Sequence, residues 1–243
     1  MLITAFTAVA RWRRPILLAA LVLAVVFGVL GESGERGAWF PVFAVWVGST
    51  MLLLVLSLVA AFRYHPAVLV ARPQEPAFAA RPNPAVVFTA AVFMLQGGFL
   101  VADSVHDILD GEELWGLSAI IIGLWVFVLI LHWRLTWGWF GVQLRPDGVY
   151  DRQPLGSLFI PWDAFARAYP SAPSGTQRVA LYYERPELVR SRGLRPGGPN
   201  APAAGIDAAF LARTINEYVA HPEYRSAIGT EAELRRLTAA AAT

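Results

Sequence analysis

Hydrophobic residues are concentrated in four long runs in the first half of this chain, and polar segments separate the runs. The runs cover 15–30, 39–61, 85–102 and 114–131. A helix needs about 20 apolar residues to cross the hydrocarbon core of a membrane, with a range of roughly 17–25. The first run is marginal by this measure and the other three fit it. The pattern therefore predicts four transmembrane helices within 15–133.

The first run also shares features with a signal peptide, because the basic sequence RWRR precedes it. However, no cleavage site of the A-x-A type follows, since the next residues are GESGERGAWF. We therefore interpret the run as an uncleaved span and 1–14 as a cytoplasmic N-terminus.

The charges between the runs predict the orientation of the spans. The N-terminus, the segment between the second and third spans, and the segment after the fourth span carry Arg11, Arg13, Arg14, Arg63, Arg72, Arg81 and Arg134. The other two loops are acidic, and Arg36 is their only arginine. By the positive-inside rule, this distribution predicts a multi-pass protein of the inner (plasma) membrane with both termini in the cytoplasm.

The segment between the second and third spans is rich in proline, which breaks helices and favours extended backbone. Its prolines are Pro66, Pro73, Pro76, Pro82 and Pro84. This composition predicts an irregular cytoplasmic connector that lies on the membrane or on the C-terminal domain.

After Arg134, short alternation replaces the long apolar runs. Apolar and polar residues alternate from Phe140 to Arg145, and the sequence PDG then supplies a turn. The sequences GVYDR, SLFIPW and TQRVALYYER continue the pattern, so four short strands are predicted. The glycine-, proline- and arginine-rich stretch RSRGLRPGGPNAPAAG, which follows at 190–205, predicts a mobile loop.

Two helices are predicted at the C-terminal end. The first is amphipathic, with Asp207 as its cap and Pro222 as its stop. The second is short, since Thr230 and Glu233 have the spacing of a capping box. The sequence thus predicts a small α+β domain over 134–229, followed by a short helix and tail over 230–243. In this domain the C-terminal amphipathic helix closes the open end of a curved antiparallel sheet.

The segment VQLRPDGVYDRQPLGSLFIPWDAF resembles the bacterial pleckstrin-homology-like (PH-like) domains, including the YcxB-like group. Its matching positions are Asp147, Gly148, Ile160, Pro161, Trp162 and Asp163. The resemblance covers roughly 136–183 and implies a PH-like domain attached to membrane helices, with a structural motif rather than a catalytic one. The predicted sheet is short of a full seven-stranded barrel, so strands are missing or concealed. The C-terminal tail resembles the ends of actinobacterial membrane proteins, which implies lineage and not activity.

Two residues of this motif have alternative interpretations. An aromatic ring such as that of Trp162 could bind a ligand, but more often it packs in the core between sheet and helix. Asp163 either caps the following turn or pairs with a nearby arginine. Neither role of Asp163 is chemical.

Composition excludes several classes of site. The chain of 243 residues is 56% hydrophobic and only 16% charged, whereas soluble domains carry about 25% charged residues. It contains no cysteine, so disulfides, thiolate metal sites and cysteine nucleophiles are excluded. The net charge of +2 is too small to indicate nucleic-acid binding.

Polar residues in and near the spans give weak functional signals. Gln96, beside two glycines, could contact a substrate, but an interhelical hydrogen bond at a close helix crossing is the simpler interpretation. The spans contain no charged residue, which argues against a pump. Asp103, His106 and Asp110 would share a helix face and could bind a metal, but their spacing matches no specific motif, and the simpler interpretation is that acidic residues keep this loop outside and soluble.

The function predicted from these features is a membrane-anchored binding or scaffolding module. The arginines that could bind lipid headgroups or a protein partner are Arg178, Arg185, Arg190, Arg192 and Arg195. Solvation of a flexible loop explains these arginines equally well. The alternative is a small transporter or channel subunit built from the four helices, which could also form a homo-oligomer. No enzyme activity, metal or cofactor is predicted.

Overall fold

The chain forms two compact units in the computed structural model. The model describes residues 2–33, 39–72, 74–109, 115–137, 140–153, 155–175, 178–194 and 206–240. The first unit consists of Met1–Arg63 and Asn83–Gly138, and the second of Tyr64–Pro82 and Trp139–Thr243. Both units are therefore discontinuous in sequence.

The first unit is helical. Its helices are α1 (Leu2–Arg11), α2 (Arg13–Ser33), α3 (Trp39–Arg63), α4 (Pro84–Leu109) and α5 (Trp115–Trp137). Helices α2 to α5 are each long and apolar enough to cross a membrane. This supports a membrane protein with four spans, as the apolar runs predict.

The helices extend beyond the apolar runs. Helix α4 continues through polar residues to Leu109, and α1 occupies most of the N-terminal segment 1–14, for which no helix is predicted. Hydropathy detects only the apolar part of a helix, so polar turns at its ends escape such a prediction.

Helix α4 packs closely against α2 through small residues. A Cβ atom on Gly98 would lie 2.3 Å from the carbonyl oxygen of Ala24, and one on Gly28 would lie 2.9 Å from the carbonyl oxygen of Gly98. Between α3 and α4, the hydroxyl oxygens of Ser57 and Thr89 are 2.7 Å apart. Close backbone approach and interhelical hydrogen bonds are the interactions expected between helices in lipid.

The described residues of the second unit form eight strands in two antiparallel sheets. The strands are β1 (Leu69–Arg72), β2 (Ala77–Ala80), β3 (Gly141–Arg145), β4 (Gly148–Gln153), β5 (Gly156–Pro161), β6 (Ser171–Pro173), β7 (Val179–Leu181) and β8 (Arg190–Gly193). The larger sheet has the order β1-β2-β3-β4-β5-β8, and β6 pairs with β7 in the smaller one.

The proline-rich connector is not irregular, so that prediction is wrong. It forms the β1–β2 hairpin, in which Leu69 lies opposite Ala80, and β2 pairs with β3 through Phe78 and Leu144. The described prolines lie outside the two strands and so remove no ladder hydrogen bond. The second unit therefore begins at Tyr64 and includes a segment that the predicted boundary at 134 leaves out.

Two further strands differ from the prediction. Strand β7, from the predicted fourth strand, joins the separate two-stranded sheet. Strand β8 instead pairs with β5, although it begins the stretch predicted to be a mobile loop. The rest of that stretch, 195–205, lies outside the described residues.

Two helices complete the second unit, α6 (Ala208–Ala220) and α7 (Glu231–Ala240). The predicted cap of α6 is confirmed, because the Asp207 carboxylate accepts a hydrogen bond from the Phe210 N–H at 2.8 Å. The buried residues of α6 and the inward residues of the large sheet share one hydrophobic core, and Leu237 of α7 belongs to it. Helix α7 is thus part of this unit and not a separate tail.

The capping box of α7 is only half formed. The Glu233 N–H donates to the Thr230 hydroxyl at 3.3 Å. The Glu233 carboxylate instead accepts hydrogen bonds from the Tyr218 hydroxyl at 3.0 Å and from Arg236. This buried network joins α7 to α6.

Candidate functional site

One face of the large sheet is rich in arginine. Residues directly opposite each other on neighbouring strands share a face. Because Arg152 lies opposite Ser157, which in turn lies opposite Arg192, these three side chains form one row across the sheet. Arg190 stands two positions from Arg192 on β8 and therefore points the same way. Adjacent strands lie about 4.8 Å apart, so Arg152 and Arg192 are separated by about 10 Å at the backbone.

On strands β3, β4, β5 and β8, this face of the large sheet carries no acidic side chain. The positions of β3, β4, β5 and β8 on this face, all of which the structure describes, are Gly141, Gln143, Arg145, Gly148, Tyr150, Arg152, Ser157, Phe159, Pro161, Arg190 and Arg192, of which Gln143 and Gly148 are buried. They include no aspartate or glutamate. We call Arg145, Arg152, Arg190 and Arg192, with Tyr150 and Phe159 between them, the arginine face.

The arginine face combines cations with aromatic rings. The Arg145 guanidinium lies 4.6 Å from the centre of the Tyr150 ring, and that of Arg152 lies 5.7 Å from the Phe140 ring. Arg152, Arg190 and Arg192 are exposed to solvent. Within the described parts of the chain, none of these three forms an ion pair. Their charge is therefore available to an anionic partner, and guanidinium groups bind phosphate and carboxylate through two parallel hydrogen bonds.

The structure separates the five arginines that the sequence grouped together. Arg190 and Arg192 lie on the arginine face. Arg185 lines a pocket elsewhere in the second unit, and Arg178 directly precedes β7 in the small sheet. Arg195 lies outside the described residues.

Sequence reasoning missed Arg152 as a member of the face. The local signal is present, because Arg152 is two positions from Tyr150 in a strand that alternates. The pairing of β5 with β8, which brings Arg192 into the same row, has no local signal. Only the long-range register of the sheet shows that the two arginines act together.

The PH-like motif residues have structural roles. Asp147 is exposed in the β3–β4 turn, and Ile160 is completely buried. At Gly148, a Cβ atom would lie 2.3 Å from the carbonyl oxygen of Ile160, so the strands approach too closely for any other residue. Pro161 ends β5 and precedes the short 3-10 turn that contains Trp162.

Trp162 is a core residue that borders a pocket. It is 3% exposed, and its ring centre lies 5.9 Å from that of Phe165 and 5.7 Å from that of Tyr218 on α6. Its indole N–H donates to the carbonyl oxygen of Arg145 at 2.9 Å. The core interpretation of this tryptophan is therefore confirmed.

Beside Trp162 lies a pocket of about 710 Å³ that is formed only by residues of the second unit. We call it the Trp162 pocket. Its charged lining residues are Arg167, Arg185, Arg225, Asp163 and Glu184. One Asp163 carboxylate oxygen is 4.0 Å from a terminal nitrogen of Arg225, in agreement with the prediction that Asp163 pairs with an arginine. Burial lowers the pKa of Arg225, and the nearby Asp163 partly opposes this shift.

The polar residues of the first unit do not form a comparable site. Gln96 is half-buried on α4, beside Gly97, whose Cβ atom would lie 3.3 Å from the Trp125 ring. Asp103 and His106 both lie on α4, whereas Asp110 lies outside the described residues. Among the residues that the structure describes, no group of three or more histidines and carboxylates is placed to hold a metal ion.

Comparison with known proteins adds no identification, because no protein-family model, no curated protein and no solved structure matches the chain.

Proposed function

We propose that this protein is a membrane-anchored binding module whose second unit attaches to anionic lipid headgroups. The arginine face carries this proposal, because it presents exposed guanidinium groups and no outward carboxylate on β3, β4, β5 and β8. Four helices able to cross a membrane belong to the same chain, so an anionic surface is always nearby.

The element order of the second unit supports a proposal that it is PH-like. An antiparallel meander runs from β1 to β5, and α6 packs against the small sheet and the shared core. The β1–β2 hairpin supplies strands that the C-terminal segment alone lacks. We propose that the unit is a PH-like fold split by two membrane spans.

The pairing of β2 with β3 constrains the membrane topology. These strands belong to one sheet, yet α4 and α5 separate them in sequence. The two helices must therefore leave and re-enter the same side of the membrane. Arginines at the ends of the spans support a cytoplasmic location for this side, where the leaflet is rich in anionic lipid.

Electrostatics sets the expected strength of attachment. A juxtamembrane arginine gains about 1 kcal/mol near an anionic leaflet. Three exposed arginines on one face would thus contribute about 3 kcal/mol. The attraction acts within a Debye length of about 8 Å at physiological ionic strength, so salt should weaken it.

A fluorophore placed within the face tests the proposal. The chain has no cysteine, so Ser157→Cys gives one labelling site between Arg152 and Arg192. Full-length labelled protein is reconstituted in phosphatidylcholine, with or without phosphatidylglycerol, and a polarity-sensitive dye reports contact with lipid. We expect a blue shift only with the anionic lipid, and its loss at about 1 M salt.

Two charge-matched variants control this experiment. Arg190→Gln combined with Arg192→Gln should abolish the blue shift, whereas Arg213→Gln with Arg235→Gln, on α6 and α7, should leave it unchanged. An equal blue shift in neutral and anionic liposomes would refute the lipid assignment. A shift that occurs only in native membranes, and not in anionic liposomes, would also refute it and would indicate a protein partner.

A further inference from the structure

The Trp162 pocket shares no lining residue with the arginine face and has the features of a second binding site. Its volume of about 710 Å³ lies within the roughly 300–1,000 Å³ of small-molecule pockets. Trp162 and Phe165, which line it, are nearly completely buried. Half of its ten lining residues are charged, so a ligand here would be recognised mainly through charge.

Arg225 is a fixed cation at this pocket. Its Nε donates to the carbonyl oxygen of Tyr218 at 2.7 Å, and its guanidinium carbon lies 5.5 Å from the centre of the Trp162 ring. Its side chain is only 18% exposed. The 4.0 Å separation from Asp163 is longer than a hydrogen bond, so a ligand could approach the terminal nitrogen more closely than this carboxylate does.

Arg167 and Arg185 add two exposed guanidinium groups. Their backbones are fixed, because the Arg167 N–H donates to the Glu184 carboxylate at 3.0 Å and the Arg185 N–H donates to the Ala164 carbonyl at 3.2 Å. Neither side chain forms an ion pair within the described ranges. The Glu184 carboxylate keeps its charge when it accepts this hydrogen bond, so the three arginines of the pocket exceed its two carboxylates by one positive charge.

We propose that the Trp162 pocket binds a small organic anion, a phosphate monoester or a carboxylate, through the guanidinium groups of its three arginines. The apolar part of the ligand lies against Val219, which lines the pocket and is partly exposed. Guanidinium groups recognise these anions through charge-assisted hydrogen bonds, each of which is stronger than a neutral one. A ligand that dissolves freely and a lipid headgroup share this chemistry, and the experiments distinguish them.

The first experiment measures the electrostatic preference of the pocket without a ligand. Full-length Ala220→Cys places a single thiol at the pocket, because Ala220 is exposed and lines it. For each thiol, the rate of reaction with an anionic methanethiosulfonate reagent is divided by the rate with a cationic one. We expect this ratio to be about ten times higher at Ala220→Cys than at the control Ala209→Cys. Adding Arg167→Gln and Arg185→Gln should remove this preference. Equal reagent preference at both thiols would overturn the proposal.

The second experiment titrates phenyl phosphate, with benzylamine as the cationic control, into full-length protein in neutral nanodiscs. We expect saturable binding of phenyl phosphate, weakened at least tenfold by Arg167→Gln with Arg185→Gln and unchanged by Arg190→Gln with Arg192→Gln. Arg167 and Arg185 are substituted first because they are exposed, whereas Arg225 also contacts α6 and its loss could disturb the fold. The variant Arg225→Lys then tests the role of the fixed cation. Absence of saturable binding, binding equal to that of benzylamine, or binding only to phosphatidic acid in vesicles would each overturn the proposal.

Discussion

Phe78 lies directly opposite Leu144 in the β2–β3 pair, although two candidate membrane spans separate them in the sequence. Both side chains are completely buried in the core of the second unit. The cytoplasmic module proposed above is therefore not a C-terminal appendage. It is assembled from two chain segments that α4 and α5 separate in the sequence.

The C-terminal segment alone should not fold. A fragment covering 139–243 lacks β1 and β2. The edge of β3 that pairs with β2 is then left unpaired, and part of the hydrophobic core of the second unit is exposed. We expect no cooperative thermal transition by circular dichroism for this fragment. A chimera that joins 64–82 through a Gly/Ser linker to 139–243 should restore the transition. Cooperative unfolding of the fragment by itself would contradict the split fold.

A glycine pair tests the docking of the β1–β2 hairpin. Gly229 has φ of +97°, and a Cβ atom there would lie 2.7 Å from the Ala77 backbone nitrogen. Gly175 also has a positive φ, +85°, but a Cβ atom there has no neighbour within 4 Å. In chemical denaturation we expect Gly229→Ala to lower the free energy of unfolding by about 3 kcal/mol or more, and Gly175→Ala to lower it by about 1–2 kcal/mol. Similar losses of unfolding free energy in the two variants would show that the hairpin does not pack at Gly229.

The buried phenol of Tyr218 should make the second unit sensitive to alkali. Burial, reinforced by the neighbouring Glu233 carboxylate, raises the pKa of Tyr218 above its usual value. In the unfolded chain the phenol ionises near pH 10, so above that pH the unfolded state loses a proton that the folded state retains. Stability should therefore fall by up to about 1.4 kcal/mol per pH unit above pH 10.

The control for this prediction is Tyr218→Phe. This variant should lose about 1.5–3 kcal/mol of stability near neutral pH, because it removes a buried hydrogen bond to the Glu233 carboxylate. Its melting temperature should then decline less steeply than that of the native chain between pH 9 and about pH 11. Parallel declines would exclude Tyr218 as the titrating group.

The α2–α4 crossing should not tolerate a larger residue at Gly98. A Cβ atom there meets the Ala24 carbonyl at 2.3 Å, and rotating a side chain cannot relieve a backbone clash. At Gly123 on α5, by contrast, a Cβ atom has no neighbour within 4 Å. We expect Gly98→Leu to lower the temperature at which detergent-purified protein loses its monodisperse peak. Gly123→Leu should behave like the native chain, and equal behaviour of the two variants would refute this crossing.

Thiol labelling in intact cells tests the proposed topology. Single cysteines at Gln74, in the β1–β2 turn, and at Thr238, on α7, should react with an impermeant maleimide only after permeabilisation. Leu109→Cys, at the far end of α4, should react in intact cells. Labelling of Gln74→Cys and Thr238→Cys from opposite sides would contradict the shared sheet. Labelling of both in intact cells would reverse the proposed orientation.

Sequence patterns predicted the elements that depend on neighbouring residues. The spans follow from local hydropathy, the β3–β4 turn from the PDG sequence, and the α6 cap from Asp207. Strands β1, β2, β6 and β8 were missed because each has only three or four residues, and because β2 and β8 pair with strands that are distant in sequence. The arginine face was only partly recognised for the same reason, since the row of Arg152 and Arg192 depends on the β5–β8 register.

The division of the large sheet by two helices also affects the biogenesis of the protein. During synthesis the β1–β2 hairpin is made first, and its partner strand follows only after α4 and α5. At a synthesis rate of about 5–20 residues per second, several seconds pass between the synthesis of the hairpin and that of β3. If α5 failed to return the chain across the bilayer, β3 would be on the wrong side and the sheet could not close. A folded second unit therefore reports that both spans have been correctly inserted.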